Sequence, residues 1–100
     1  MRRWLVMAAL AKLVPTGITA CRRLADQGDA NAQFTLGGMY GFGHGVARDE
    51  IAGRMWLNLA AAQGNIDAAV LRHALAIEMT PSQIEQAQAL AAAWKPTAAQ

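Results

Sequence analysis

The sequence predicts an all-α fold, and three observations carry that prediction. Ala alone contributes 23 of the 100 residues, against only 6 aromatics. Ala has the highest helix propensity and little bulk, whereas strands prefer β-branched and aromatic side chains. Apolar residues recur at spacings of three and four rather than two, the period of helices that bury one face. Stop and start residues then divide the chain into pieces of helical length: Gly28 with Asp29, Gly64 with Asn65, and Thr80 with Pro81. At 100 residues one domain is expected, and 54% apolar with 16% charged residues excludes a disordered chain.

Residues 1–16 form a leading hydrophobic segment. Arg2 and Arg3 precede an apolar run from Trp4 to Ala11, and Ile18, Thr19, Ala20 and Cys21 follow later. That order imitates a secretory signal ending in a lipoprotein cleavage box. Lys12, Pro15 and Gly17 interrupt it, so the favoured reading is a segment that covers an open end of a cytoplasmic domain. The alternative is an exported, periplasmic or lipid-anchored chain processed near Cys21.

From Ala30 the spacing is helical, with Asp29 as cap after Gly28. Ala32, Leu36 and Tyr40 share one face, and Gly37 is a flat spot where another backbone can approach. Gly41, Gly43 and Gly45 then break the helix within five residues, with Val46 as an apolar plug. Asp49 caps a second helix from about Glu50 to Gln63, whose stripe is Ala52, Trp56, Leu59, Ala60 and Gln63. Gly64 stops it. A third runs from about Ile66 to Glu78 or Met79, burying Ala68, Leu71, Leu75 and Met79. Thr80, Pro81 and Gln83 announce the last helix: Thr80 caps, Pro81 takes the first turn, and Gln83 completes a capping box contributing about 1 kcal/mol. That helix turns Ile84, Ala87, Leu90, Ala91 and Trp94 inward. Pro96 ends it, and residues 96–100 are expected to fray.

An internal repeat underlies these elements. Ala25, Gln27, Gly28 and Ala32 recur 36 residues later as Ala61, Gln63, Gly64 and Ala68, and Gly17 and Gly53 share the register. Between them run Leu36-Gly37-x-Met39-Tyr40, then Gly43-x-Gly45-Val46, then Trp56-x-x-x-Ala60-Ala61-x-Gln63-Gly64. With Asp29, Phe34 and Asp49, these pieces resemble the Sel-one-like repeat, a relative of the tetratricopeptide repeat. The resemblance covers residues 17–95, with one full repeat and two partial ones. Gly53 stands where the family usually has Ala, at a propensity cost of about 1 kcal/mol, and Ala20 stands where the full repeat has Trp56.

The resemblance implies an α/α solenoid of helix-turn-helix repeats with a closing C-terminal helix. It also implies a noncatalytic adaptor that binds a partner protein or peptide on its helical surface. The first helix of each pair would line the groove. Asn31, Thr35 and Gly38 lie opposite the Ala32–Leu36–Tyr40 stripe and are the candidate binding residues, together with their 36-residue equivalents Asp67, Leu71 and Ala74. The partner is expected on that face rather than on the glycine loop. Few intact repeats leave open ends, so capping or self-association into a homo-oligomer is expected.

Other chemistries find little support. A net charge of +2 is too small a basic excess to expect nucleic acid as a partner. No apolar run reaches the length of about 18 residues that a membrane span needs. Cys21 is the single cysteine, so an intrachain disulfide and a Cys-based metal cluster are both excluded. His44 sits among glycines without the preceding strand or Lys of a phosphate loop. His73 has no carboxylate at helical ligand spacing. No catalytic residue, metal or cofactor is therefore expected. A small hydrolase, claimed for some relatives, would need a nucleophile that the sequence does not display.

Overall fold

The structure, a computed structural model, describes residues 18–97. The expectations about a leading segment or signal in residues 1–16, and about residues 98–100, lie outside the described residues. Among the described residues there are five helices and no strand. They are α1 (residues 18–26), α2 (Ala30–Phe42), α3 (Glu50–Ala62), α4 (Ile66–Ala76) and α5 (Pro81–Ala93).

The starts of α2, α3, α4 and α5 are each made by the residue that local chemistry demands. Asp29, Asp49 and Asn65 accept from the amides of Ala32, Ala52 and Ala68 at 2.8, 3.0 and 2.8 Å. Thr80 Oγ1 accepts from the Gln83 amide at 3.1 Å while the Gln83 side chain accepts from the Thr80 amide at 2.9 Å, so the capping box is complete. Gly28 and Gly64 supply the left-handed turns at φ 103° and 97°.

Three boundaries differ from expectation. Gly41 does not break α2; it lies buried inside it, and left-handed Gly43 is the stop. The α3 helix ends at Ala62, with Gln63 as its cap. The α4 helix ends at Ala76, because the amides of Ile77, Glu78 and Met79 bond back three residues, to Ala74, Leu75 and Ala76. That tighter winding closes the last turn.

Helix α3 is the hub: it packs on α2, α4 and α5, and α2 also touches α4. The α2–α3 contact is the most intimate. A Cβ built on Gly53 would meet the Cα and N of Gly41 at 2.5 Å, and one on Gly37 would meet Leu57 Cγ at 2.7 Å. The expected propensity penalty at Gly53 is therefore the condition for two backbones to touch. Leu57, Ala60, Ala68, Leu75 and Met79 form one buried cluster, with Phe34, Leu71 and Ile84 packed against it. Ala25, Ala32, Leu36 and Trp56 form the other, flanked by Cys21, Tyr40 and Trp94. Each fully buried leucine, Leu36, Leu57 and Leu75, contributes about 1.5–3 kcal/mol. Trp56 is 3% exposed and meets Trp94 edge-on at 6.2 Å and 72°.

A polar staple joins three helices inside this apolar frame. Gln33 is fully buried. Its Nε2 donates to Ala25 O at 3.1 Å, and its Oε1 accepts from Gln63 Nε2 at 2.8 Å. Gln63 Nε2 also donates to Gly28 O at 2.8 Å. Burial without these partners would cost about 1–3 kcal/mol.

The closing helix departs from expectation in two ways. Leu90, expected inward, is 48% exposed. Helix α5 packs on α3 and turns the narrow stripe of Ile84, Ala87, Ala91 and Trp94 inward, with Ala87 fully buried and the others half-buried. Beyond Pro96 the chain does not fray at once: the Thr97 amide donates to Asp26 O at 2.7 Å.

Candidate functional site

Helix α2 and the start of the following loop meet α4 around an open depression of about 420 Å³. Thr35, Gly38, Met39, Phe42, His44 and Leu71 line it. The α2 spacing explains the arrangement: 35, 38, 39 and 42 fall on one helical face. Gly38 makes room for the α4 side chain, since a Cβ there would stand 3.3 Å from Leu71 Cδ2. Thr35 Oγ1 donates to Asn31 O at 2.9 Å, which leaves its hydroxyl hydrogen satisfied within the helix.

The loop that carries His44 is held from several sides. Gly43 and Gly45 adopt φ 71° and 80°, and the His44 amide donates to Met39 O at 2.9 Å. Arg48 Nε donates to Gly41 O at 3.0 Å. Its Nη2 lies 3.4 Å from Glu50 and 3.1 Å from Glu78. One guanidinium thus ties the loop to the start of α3 and to the turn after α4.

Of the six candidate residues, the structure brings Thr35, Gly38 and Leu71 together in this depression. Asn31, Asp67 and Ala74 are exposed and do not line it. The expected separation between this face and the glycine loop does not hold, because His44 stands in the same lining. Met39 and Phe42 were missed as walls, although their spacing of four and seven from Thr35 is the signal that marks them. Helix α5 does not fill the depression; no α5 residue lines it.

A second hollow of about 320 Å³ lies among Gln27, Gly28, Leu59, Ala62, Gln63, Trp94 and Pro96. It contains none of the candidate residues.

Cys21, Arg54, Arg72 and His73 line neither hollow. Cys21 Sγ donates to Ala32 O at 3.2 Å. Burial, with a smaller push from Asp29, raises its thiol above the ordinary value, against a backbone hydrogen bond that lowers it. That thiol is a poor nucleophile at neutral pH. Arg54 Nη1 donates to Arg72 O at 3.0 Å, and Arg72 Nη1 donates to Asn58 Oδ1 at 3.3 Å, locking α3 to α4. Burial first and Arg72 second lower the Arg54 guanidinium below its ordinary value. His73 is exposed on α4. Among the described residues no three His, Cys, Asp or Glu side chains are grouped to hold a metal ion, and no helix is long and apolar enough to cross a membrane. Neither a protein-family model nor a curated protein matches the chain.

Proposed function

We propose that this chain is a noncatalytic protein-interaction module, a short α/α solenoid of the Sel-one-like kind, that binds a partner peptide in the depression between α2 and α4. The observation that carries the reading is the pairing of Thr35 with Leu71. These residues stand 36 positions apart, on successive first helices, and share one mostly apolar hollow. A volume of about 420 Å³ sits near the lower end of ligand pockets, which run from about 300 to 1,000 Å³. It suits one or two aliphatic or aromatic side chains rather than a whole folded domain. Met39, Phe42 and Leu71 supply the apolar contact. His44 and Thr35 supply polar atoms at the rim for the peptide backbone. Binding would rest on shape and apolar burial, with no bond made or broken.

The test is selection of peptides from a random library on the folded chain, followed by mapping through amide and methyl chemical shifts. Selected peptides should perturb Gly38, Met39, Phe42 and Leu71, and Thr35→Arg should abolish binding while its circular dichroism spectrum stays native. Peptides that map to another surface, or that survive Thr35→Arg, would overturn the reading.

A further inference from the structure

The arginines of this chain differ in how their charge is met. All seven acidic side chains lie among the described residues. Asp26 pairs with Arg22, and Glu50 and Glu78 both pair with Arg48. Asp29 and Asp49 accept from helix amides. Asp67 and Glu85 are exposed and reach no arginine. Arg54 on α3 and Arg72 on α4 therefore have no carboxylate side chain at ion-pair distance.

The fold nevertheless holds these two cations together. Their side chains cross the α3–α4 seam in opposite directions. Arg54 Nη1 reaches from α3 to Arg72 O at 3.0 Å, and Arg72 Nη1 reaches back from α4 to Asn58 Oδ1 at 3.3 Å. Arg54 and Asn58 stand one turn apart on α3, so both lie on the face turned to α4. Burial, and then the Arg72 charge, lower Arg54 below its ordinary value, yet both guanidiniums stay charged at neutral pH. Arg54 Nε is also buried without a hydrogen-bond partner, the only such side-chain nitrogen or oxygen among the described residues. A repelling pair with an orphaned N–H weakens a fold, so packing alone does not account for two arginines here. What the pair does supply is donors. Nη2 of both arginines and Nδ2 of Asn58 make no hydrogen bond within the described residues, and none of them is buried. The three side chains themselves are half-buried, which shields their charge from solvent in part.

We propose that Arg54, Arg72 and Asn58 form a binding site for a phosphate group at the α3–α4 seam. None of the three lines either hollow, so the site is separate from the peptide groove. Charge favours this ligand class. A phosphate monoester is mostly dianionic at neutral pH, and two guanidiniums neutralise two charges. Shape agrees with charge. Each planar fork offers parallel N–H donors that phosphate oxygens accept in pairs, and the Asn58 amide offers a donor to a further oxygen. A carboxylate brings one charge and two oxygens, which would leave one arginine unmatched. A nucleic-acid backbone needs a broad basic surface, and a net charge of +2 does not make one.

Titration of the full chain with sodium phosphate, at an ionic strength fixed by sodium chloride, tests the site. The readout is the arginine Nε–Hε signals and the Asn58 side-chain amide signals. Shifts at Arg54, Asn58 and Arg72 should saturate, with half-saturation at or below about 10 mM. Arg72→Gln should weaken binding by at least about tenfold. Asn58→Asp keeps the side-chain shape and sets a carboxylate beside both arginines, so it should weaken phosphate binding by a similar factor while the seam stays closed. Phosphate should raise the melting temperature of the native chain but not that of Asn58→Asp. Arg23→Gln, exposed on α1, should bind as the native chain does. A phosphoserine peptide, titrated in parallel, separates two sources of the group. Half-saturation at least about tenfold lower than for phosphate supports a site for a phosphorylated side chain, and an equal value supports a site for free phosphate. Shifts that stay linear with both probes would overturn the proposal. So would phosphate binding that is unchanged in Arg72→Gln or in Asn58→Asp, or lost in Arg23→Gln.

Discussion

Helices α2 and α4 begin 36 residues apart in the sequence, yet they meet their surroundings in opposite ways. Along one face α2 is pared down to Gly37 and Gly41, and α3 answers with Gly53, so that backbone touches backbone. Along the corresponding face α4 carries full-sized Ile77 and exposed His73. Two positions of side-chain size separate an interior helix contact from a surface stripe. Register alone therefore tells little about burial; it says which face is used, while residue volume says how close a neighbour can come.

The contrast is broken most severely on the interior side. Trp56→Ala should destabilise the fold by about 3–5 kcal/mol in a urea titration, because the 3% exposed ring fills the space between α2, α3 and Trp94. A loss below 1 kcal/mol would mean that the ring is dispensable to the packing. Gly53→Ala comes next. Helix propensity alone predicts a gain of about 1 kcal/mol. The contact with Gly41 reverses the sign, since the methyl meets backbone that no rotamer change can move. A net loss of about 1–3 kcal/mol is expected, and a gain in melting temperature would refute the close approach.

Gln33→Met asks whether the same interior depends on its polar staple. The substitution conserves length but removes the buried side-chain donor to Ala25 O, which keeps only the Gly28 amide, and one of the two acceptors of Gln63 Nε2. It should cost about 1–3 kcal/mol, read in the same titration. The smallest effect belongs to the outer side. Ile77→Ala should change stability by no more than about 0.5 kcal/mol at an 81% exposed site. A larger loss would mean that the α4 face is already covered within one chain.

Local chemistry made much of this fold readable in advance. Asp29, Asp49, Asn65 and Thr80 with Gln83 act within four residues of themselves, so their caps follow from sequence neighbours alone. Trp56 was readable because a lone large aromatic among alanines has few places to go. Contacts between distant residues were not. Gly53 looked like a defect until Gly41 was opposite it. Gln33 did not stand out at all, since nothing nearby in sequence announces Ala25 O and Gln63 as its partners. In the candidate site, Thr35 and Leu71 were reachable through the 36-residue register. The inclusion of His44 was not, because it follows from how the loop folds back after Gly43, with the His44 amide bonded to Met39 O.

The bond from Thr97 to Asp26 O has a kinetic consequence. It joins residues 71 positions apart, with Trp94 reaching within 3.9 Å of where a Cβ on Gly28 would stand. A stack of helices with two loose ends can unravel from either one, a unit at a time. A chain clasped between its first and last described helices must instead pay the closure entropy of a long loop to fold, which slows the search. Once closed, it loses its easiest route of opening. Amide hydrogen exchange should then show α1 and α5 opening together rather than in sequence, with the clasp setting the rate for both.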